Sequence, residues 1–268
     1  MRVSRRAQLS LRTLALAYLT ILLLIPLGII FYRTFEHGVS AVVDSITTPA
    51  AVSAFWLTIE IVGIAVVLNT IFGVLLALAL VRSKIRGKGL IQAVVDLPFA
   101  VSPVVVGVSL ILVYGTNGWF GTWFVDNGLQ IIFSVPGMVL ATIFVTVPFV
   151  VREVEPVLRE IGTEQEEAAA TLGASRWQAF WRITLPSIRW GLGYGVILTI
   201  ARALGEYGGV SLVSQSKPGE SQTLTLLVKS RYDNLDVSGA YAAATLLMVI
   251  AVVALIVMTV LDRKKTNA

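Results

Sequence analysis

The chain has 268 residues, 56% of them hydrophobic and 14% charged, with a formal net charge of +5 and a mean hydropathy of +0.82. A soluble domain carries about 25% charged residues, so this composition excludes one and points to a single membrane-embedded domain. With no cysteine and His37 as the one histidine, disulfides, thiol chemistry and a cysteine metal site are excluded, and a histidine relay or metal centre has nothing to build on.

Six stretches reach the ~20 apolar residues that a helix needs to cross the hydrocarbon core: 14–32, 56–81, 97–114, 131–151, 188–213 and 240–261. The expected fold is all-α and integral to the membrane. Six transmembrane helices occupy 14–261, between a basic tail at 1–13 and a short tail at 262–268. The first run follows MRVSRR and resembles a signal peptide, but FYRTFEHG behind it lacks a small-residue cleavage pattern, so the span is read as retained.

The third run opens on DLPFAVSP, where Pro98 and Pro103 interrupt the helix behind Asp96. Such a break is tolerated where the freed carbonyls face protein or a wet cavity. The fourth holds Pro136 and Pro148 and ends at Arg152, read as a snorkelling anchor.

Between the fourth and fifth runs lies a charged, alanine-rich loop, 163–186, containing EEAAATLGASRWQAFWRITLP. Thr163 with Glu166 spells a capping box, and Glu164 and Glu166 suit the positive end of a helix. Ala168, Ala169 and Ala170 keep that helix thin, and Gly173 suits the left-handed position that ends it. Ser175 with Gln178 repeats the box and opens a second helix; Pro186 then falls in the first turn of span five. Trp177, Phe180 and Trp181 are either a docking patch or a lipid-boundary anchor.

In the fifth run Arg202 and Glu206 stand four residues apart on one face. They are either a pair lining a path or a mutually neutralised lock to a neighbouring helix. Gly191 with Gly195 and Gly205 with Gly209 form two G-x-x-x-G pairs, read as close packing with a hinge as the alternative.

Lysine and arginine set the orientation. Sixteen lie in the two tails and in the loops at 82–88 and 152–189, against four (Arg33, Lys217, Lys229 and Arg231) on the other side. Both termini and the 163–186 loop are therefore expected in the cytoplasm.

Glu167-Ala168-Ala169, Gly173 and Ile183-Thr184-Leu185-Pro186, at that spacing, resemble the EAA signature of ABC importer permeases. The resemblance covers nearly the whole chain. It is closest to the oxyanion branch, through DLPFAVSPVVVG at 96–107, TVPFVVREVEPVL at 146–158 and ARALGEYGGVSLVS at 201–214. Within the branch, the loop and YDNLDVSGAYAAA at 232–244 are more similar to W-type sulfate/thiosulfate permeases than to molybdate permeases. It implies a type I-like importer permease in the inner membrane of a prokaryote. Glu167, Ala168, Ala169, Gly173, Ile183, Leu185 and Pro186 would form a coupling helix seated in an ATPase subunit. The partners implied are a homologous T-type permease, two copies of a cytoplasmic ABC ATPase and an extracytoplasmic sulfate-binding protein, with no nucleic acid. Candidate path-lining residues are Arg202, Glu206, Pro98 and Pro103, and a short helix at 223–230 is expected on the membrane surface against the binding protein.

No phosphate-binding G-x-x-x-x-G-K-[ST] is present, RGKGL at 86–90 being the nearest string. Hence the chain itself is expected to bind no cofactor, with ATP and Mg on the ATPase subunits. A molybdate or tungstate permease is the nearest alternative. An ion-coupled secondary transporter would need coupling-ion sites, for which Glu206 and Glu60 are thin material. A membrane enzyme would need an acid–base or nucleophile cluster, and none is visible.

Overall fold

The computed structural model describes residues 5–266, and every regular element among them is helical. The tips of the two predicted tails, 1–4 and 267–268, lie outside the described residues. Helix α1 (Arg5–Leu19) passes through a π-helical turn, Thr20–Leu24, into α2 (Ile25–Phe35). After a turn at Gly38 comes the short α3 (Val39–Ile46). Helix α4 (Pro49–Arg82) starts where Thr48 accepts the Ala51 N–H and proline fills the first turn, a position where no backbone donor is lost. Its 34 residues span about 51 Å at ~1.5 Å per residue, well beyond the predicted 56–81.

The third predicted span is not a straight crossing. Helices α5 (Lys88–Ala100) and α6 (Pro103–Tyr114) meet at an angle of 113°. Val101 and Ser102 are both extended, at ψ 131° and 136°; Ser102 stands before Pro103, and a residue before proline is driven from the helical region. Neither half, at 13 and 12 residues, reaches the ~20 residues of a full crossing. Among the described residues five helical runs are long and apolar enough to span, and the bent pair makes a sixth only if taken as one.

The short α7 (Gly121–Asp126) precedes α8 (Val135–Ile161), which continues ten residues past the predicted end of span four. Then follow α9 (Glu164–Thr171) and α10 (Arg176–Ala179), a second π turn at Phe180–Thr184, and α11 (Leu185–Leu204). The second helix of the loop and span five are thus one continuous run, Arg176–Leu204. Span five stops at Leu204 and resumes as the separate α12 (Gly208–Val213), so the predicted 188–213 is two elements. Last come α13 (Leu224–Asp233) and α14 (Val237–Thr266).

The core is where α4, α8 and α11 meet. On one side of its middle Val74, Ala77, Val150, Val154, Leu158 and Ile188 are buried together; on the other, Leu57, Ile61, Met138, Ala141, Val210 and Val213. Lipid tails are as apolar as leucine, so helix association relies on close fit rather than on exclusion of water. A Cβ added at Gly73 would stand 2.7 Å from Val150, one at Gly191 2.7 Å from the Glu153 carbonyl, and one at Gly195 2.9 Å from Val150 Cα. At mid-core the fully buried Asn69 donates to Thr146 Oγ1 at 2.7 Å, joining α4 to α8.

Two sequence expectations change here. The apolar side of α13 is turned into the protein rather than outward: Leu224, Leu226 and Leu227 are buried, and the Leu224 N–H donates to Thr58 of α4 at 2.9 Å. Its Arg231 binds Ser45 and Thr48, tying α13 to the start of α4. Gly205 and Gly209 do not share a helix face, because α11 ends at Leu204 and Gly209 belongs to α12; of the two, Gly209 is the tightly packed one, against Ala141 and Pro103.

Candidate functional site

The 163–186 loop folds as an elbow. Gly173 takes φ +87°; its N–H bonds the Ala170 carbonyl, and the Ala174 N–H bonds that of Ala169. These two bonds form the Schellman stop that glycine favours, since the left-handed conformation crowds any Cβ. On the far side Ser175 and Gln178 cap each other in both directions, at 3.2 and 2.8 Å. Glu167, Ala168, Gly173 and Pro186 are exposed, while Ala169, Ile183 and Leu185 are half-buried. The inner face of the elbow is a cleft of ≈ 360 Å³ lined by Ala169, Leu172, Gly173, Gln178, Arg182 and Ile183 among others. Leu172 is 89% exposed and Trp177 69%, an apolar rim of the kind that marks an interface.

The capping box expected at Thr163 does not form. Thr163 makes no side-chain cap and instead donates its hydroxyl to Glu167 Oε1 at 2.7 Å. Glu166 turns inward, where its Oε1 accepts from Arg82 Nη2 at 3.1 Å and from Thr184 Oγ1 at 2.8 Å. A nearby cation and a buried hydroxyl outbid the local backbone donor because charge-assisted bonds are the stronger kind.

The second polar centre lies where α11 breaks. Arg202 Nη1 is 2.8 Å from Glu206 Oε2, with the arginine side chain 35% exposed and the glutamate side chain 2%. Glu206 Oε1 accepts the Gly209 N–H at 2.9 Å, and its backbone carbonyl accepts from Thr225 Oγ1 at 2.9 Å. One residue thereby joins α11, α12 and α13. Pro103 caps this centre: a Cβ at Gly208 would stand 3.0 Å from Pro103 Cβ, and one at Gly209 3.3 Å from the Pro103 carbonyl. Pro98, inside α5, is half-buried and one bend away. The structure thus gathers Glu206, Gly209 and Pro103, with Arg202 paired to Glu206, at the break where Gly205 ends α11, and leaves Pro98 apart.

Other charged groups are paired in ways the sequence reading missed. Arg152 is not a free snorkelling anchor but forms a two-point ion pair with Asp96 of α5. Glu155, 7% exposed, accepts from Gln92 at 2.8 Å and from Arg159 at 2.6 Å. On α13, Asp233 lies 2.5 Å from Lys229 and holds that ammonium above its usual pKa by hydrogen bonding. The i,i+4 spacing of Arg159 and Lys229 to their partners was a legible signal. Arg82, by contrast, is 84 residues from Glu166, and no periodicity connects them.

Residues 69–267 match the family described as binding-protein-dependent transport system inner membrane component. The sulfate transport system permease protein CysW of Synechocystis sp. is 51% identical over 251 residues, covering 94% of this chain and 91% of that protein. CysW of Escherichia coli K12 is 46% identical, covering 92% and 84%. The CysT permease of Synechococcus elongatus is 38% identical, covering 91% and 88%. Among solved structures, a chain of a bacterial alginate ABC transporter, in complex with an alginate pentasaccharide-bound periplasmic protein, superposes with a TM-score of 0.77 at 19% identity, covering 97% of this chain and 95% of that one.

Proposed function

The chain belongs to the family of binding-protein-dependent transport system inner membrane components, and from that premise we propose that it is a W-type permease subunit of an ATP-driven sulfate/thiosulfate importer. It is a multi-pass transport component rather than a catalyst. The observation that carries the substrate is the identity of 51% to a CysW sulfate permease across 94% of the chain, against 38% to a CysT.

Its partners in this reading are a homologous T-type permease, two ABC ATPase subunits that hold ATP and Mg, and a sulfate-binding protein outside. Both termini and the elbow face the cytoplasm, as the sixteen-to-four distribution of lysine and arginine favours. The elbow is the coupling element. Exposed Glu167, Ala168 and Gly173 offer a thin, sharply turned surface to the ATPase, and Ile183, Leu185 and Pro186 carry its motion into α11. At the other centre Arg202 faces the anion path with its partly exposed guanidinium while Glu206 orients it. A guanidinium suits a tetrahedral oxyanion because its donors match oxygen pairs. Pro103 holds the bend that walls this path, with Pro98 lining it from the α5 side.

The test is sulfate uptake by vesicles carrying the full subunit set, with excess molybdate as competitor. Uptake that needs ATP and ignores molybdate is expected. Suppression by molybdate would move the substrate to molybdate and leave the architecture intact; uptake without the ATPase would overturn the importer reading.

A further inference from the structure

Helix α9 is loosely joined to the rest of the chain. None of its eight residues is buried. It is bounded by two glycines at positive φ, Gly162 at +63° and Gly173 at +87°, neither with anything within 4 Å of a Cβ position. Such glycines turn at low steric cost, so α9 could swivel between them without moving a membrane helix. One side chain opposes that freedom. Glu166 Oε1 accepts from Arg82, the last residue of α4, and from Thr184, the last residue of the π turn that runs into α11. Thr184 is 3% exposed, and the Arg82 and Glu166 side chains are 18% and 24% exposed, so water screens the junction only in part.

We propose that Glu166 is the positioning residue that transmits displacement of α9 to α4 and α11, acting inside the chain rather than on the ATPase. This rests on the coupling role proposed for the elbow. Glu167, its neighbour, is exposed and bonded only within the loop, to Thr163. The two adjacent glutamates thus divide the work: one faces outward, the other clamps the elbow to two membrane helices at once. The π turn matters because it aims the Thr184 hydroxyl at the carboxylate from the wall of the long run Arg176–Leu204. Pulling α9 therefore loads α4 and α11 through a single oxygen, and releasing that oxygen lets the glycine pivots absorb the motion.

The experiment uses the complete transporter in proteoliposomes and reads sulfate moved per ATP hydrolysed, with ATPase co-purification and KM for ATP alongside. Glu166→Ala is expected to keep both the ATPase and its KM while the transport ratio falls roughly tenfold, the scale of losing a charge-assisted hydrogen bond. Glu166→Gln, which keeps an acceptor oxygen, should recover part of the ratio, a rescue that general loosening of the loop would not produce. Thr184→Val, uncharged and nearly isosteric, should lower the ratio a few-fold. An unchanged ratio in Glu166→Ala overturns the proposal, as does loss of the ATPase in that variant, which would place Glu166 at the subunit contact. Should Glu166→Ala fail to assemble, an unchanged ratio in Thr184→Val overturns it. A wild-type complex that retains no ATPase or moves no sulfate would instead overturn the importer reading.

Discussion

Two elbows break the long helices of this chain, and a glutamate closes each, yet they are built on opposite principles. The elbow at 163–186 is open. Gly173 has empty space around it, Leu172 is 89% exposed, and the clamp at Glu166 is the main polar tie to the membrane helices. The elbow at 205–209 is closed: Glu206 is 3% exposed, and Gly208 and Gly209 press on Pro103 and Ala141. The first is shaped to meet something outside the chain, the second to hold three of the chain's own elements together. Substitutions should separate them, the closed elbow losing stability and the open one losing coupled transport.

The largest expected loss of stability is at Arg202→Met, which leaves the buried Glu206 carboxylate without its cation. Removing one partner of a fully buried pair costs about 3–5 kcal/mol; with the Arg202 side chain 35% exposed the loss is smaller, and it is read as a lower thermal midpoint in detergent. A midpoint equal to wild type would show that the pair does not hold the break. Gly195→Val comes next. Its Cβ would meet Val150 Cα at 2.9 Å, and overpacking of this kind costs about 1–3 kcal/mol, measurable in the same melt.

At the open elbow the scale drops while the functional effect grows. Gly173→Ala meets no atom within 4 Å and loses only the left-handed preference, about 1 kcal/mol. Gly173→Pro, which cannot adopt φ +87°, should leave the chain inserted and abolish ATP-coupled uptake. Uptake at the wild-type level in Gly173→Pro would erase the distinction between the elbows. The smallest effect belongs to Asp96→Ala, since Arg152 is 54% exposed in that pair; an exposed ion pair contributes about 0–1 kcal/mol. A larger loss would mean that the bend between α5 and α6 depends on it.

Local chemistry made part of this readable. Ser175 and Gln178 cap each other as their spacing predicts, and Gly173 ends α9 in the left-handed conformation, because capping is settled within one turn of chain. Arg202 and Glu206 pair as their four-residue spacing allows. Thr163 and Glu166 obeyed the same rule on paper and failed it, since Glu166 had a better partner in Arg82. The third span failed for a related reason: hydropathy sees apolar residues on both sides of Val101 and Ser102 but not the 113° turn between them.

By itself, then, the amino-acid sequence determined the apolar helices, the helix stop at Gly173 and the spaced signature of the loop, whereas the break of span five at Leu204 was not foreseen. The helices follow from the solvent a segment prefers and the stop at Gly173 from residues within about one helical turn, while the signature is a pattern of spacing along 167–186. Only the tertiary structure decided that Glu166 clamps α4 to α11, that Asp96 meets Arg152, and that α13 buries its leucines beneath Thr58. Those partners lie 84, 56 and 166 residues apart along the chain. Which of them meet is set by the close approach of helices at small residues such as Gly73, Gly191 and Gly195, and a helix-period pattern carries no information about its neighbour.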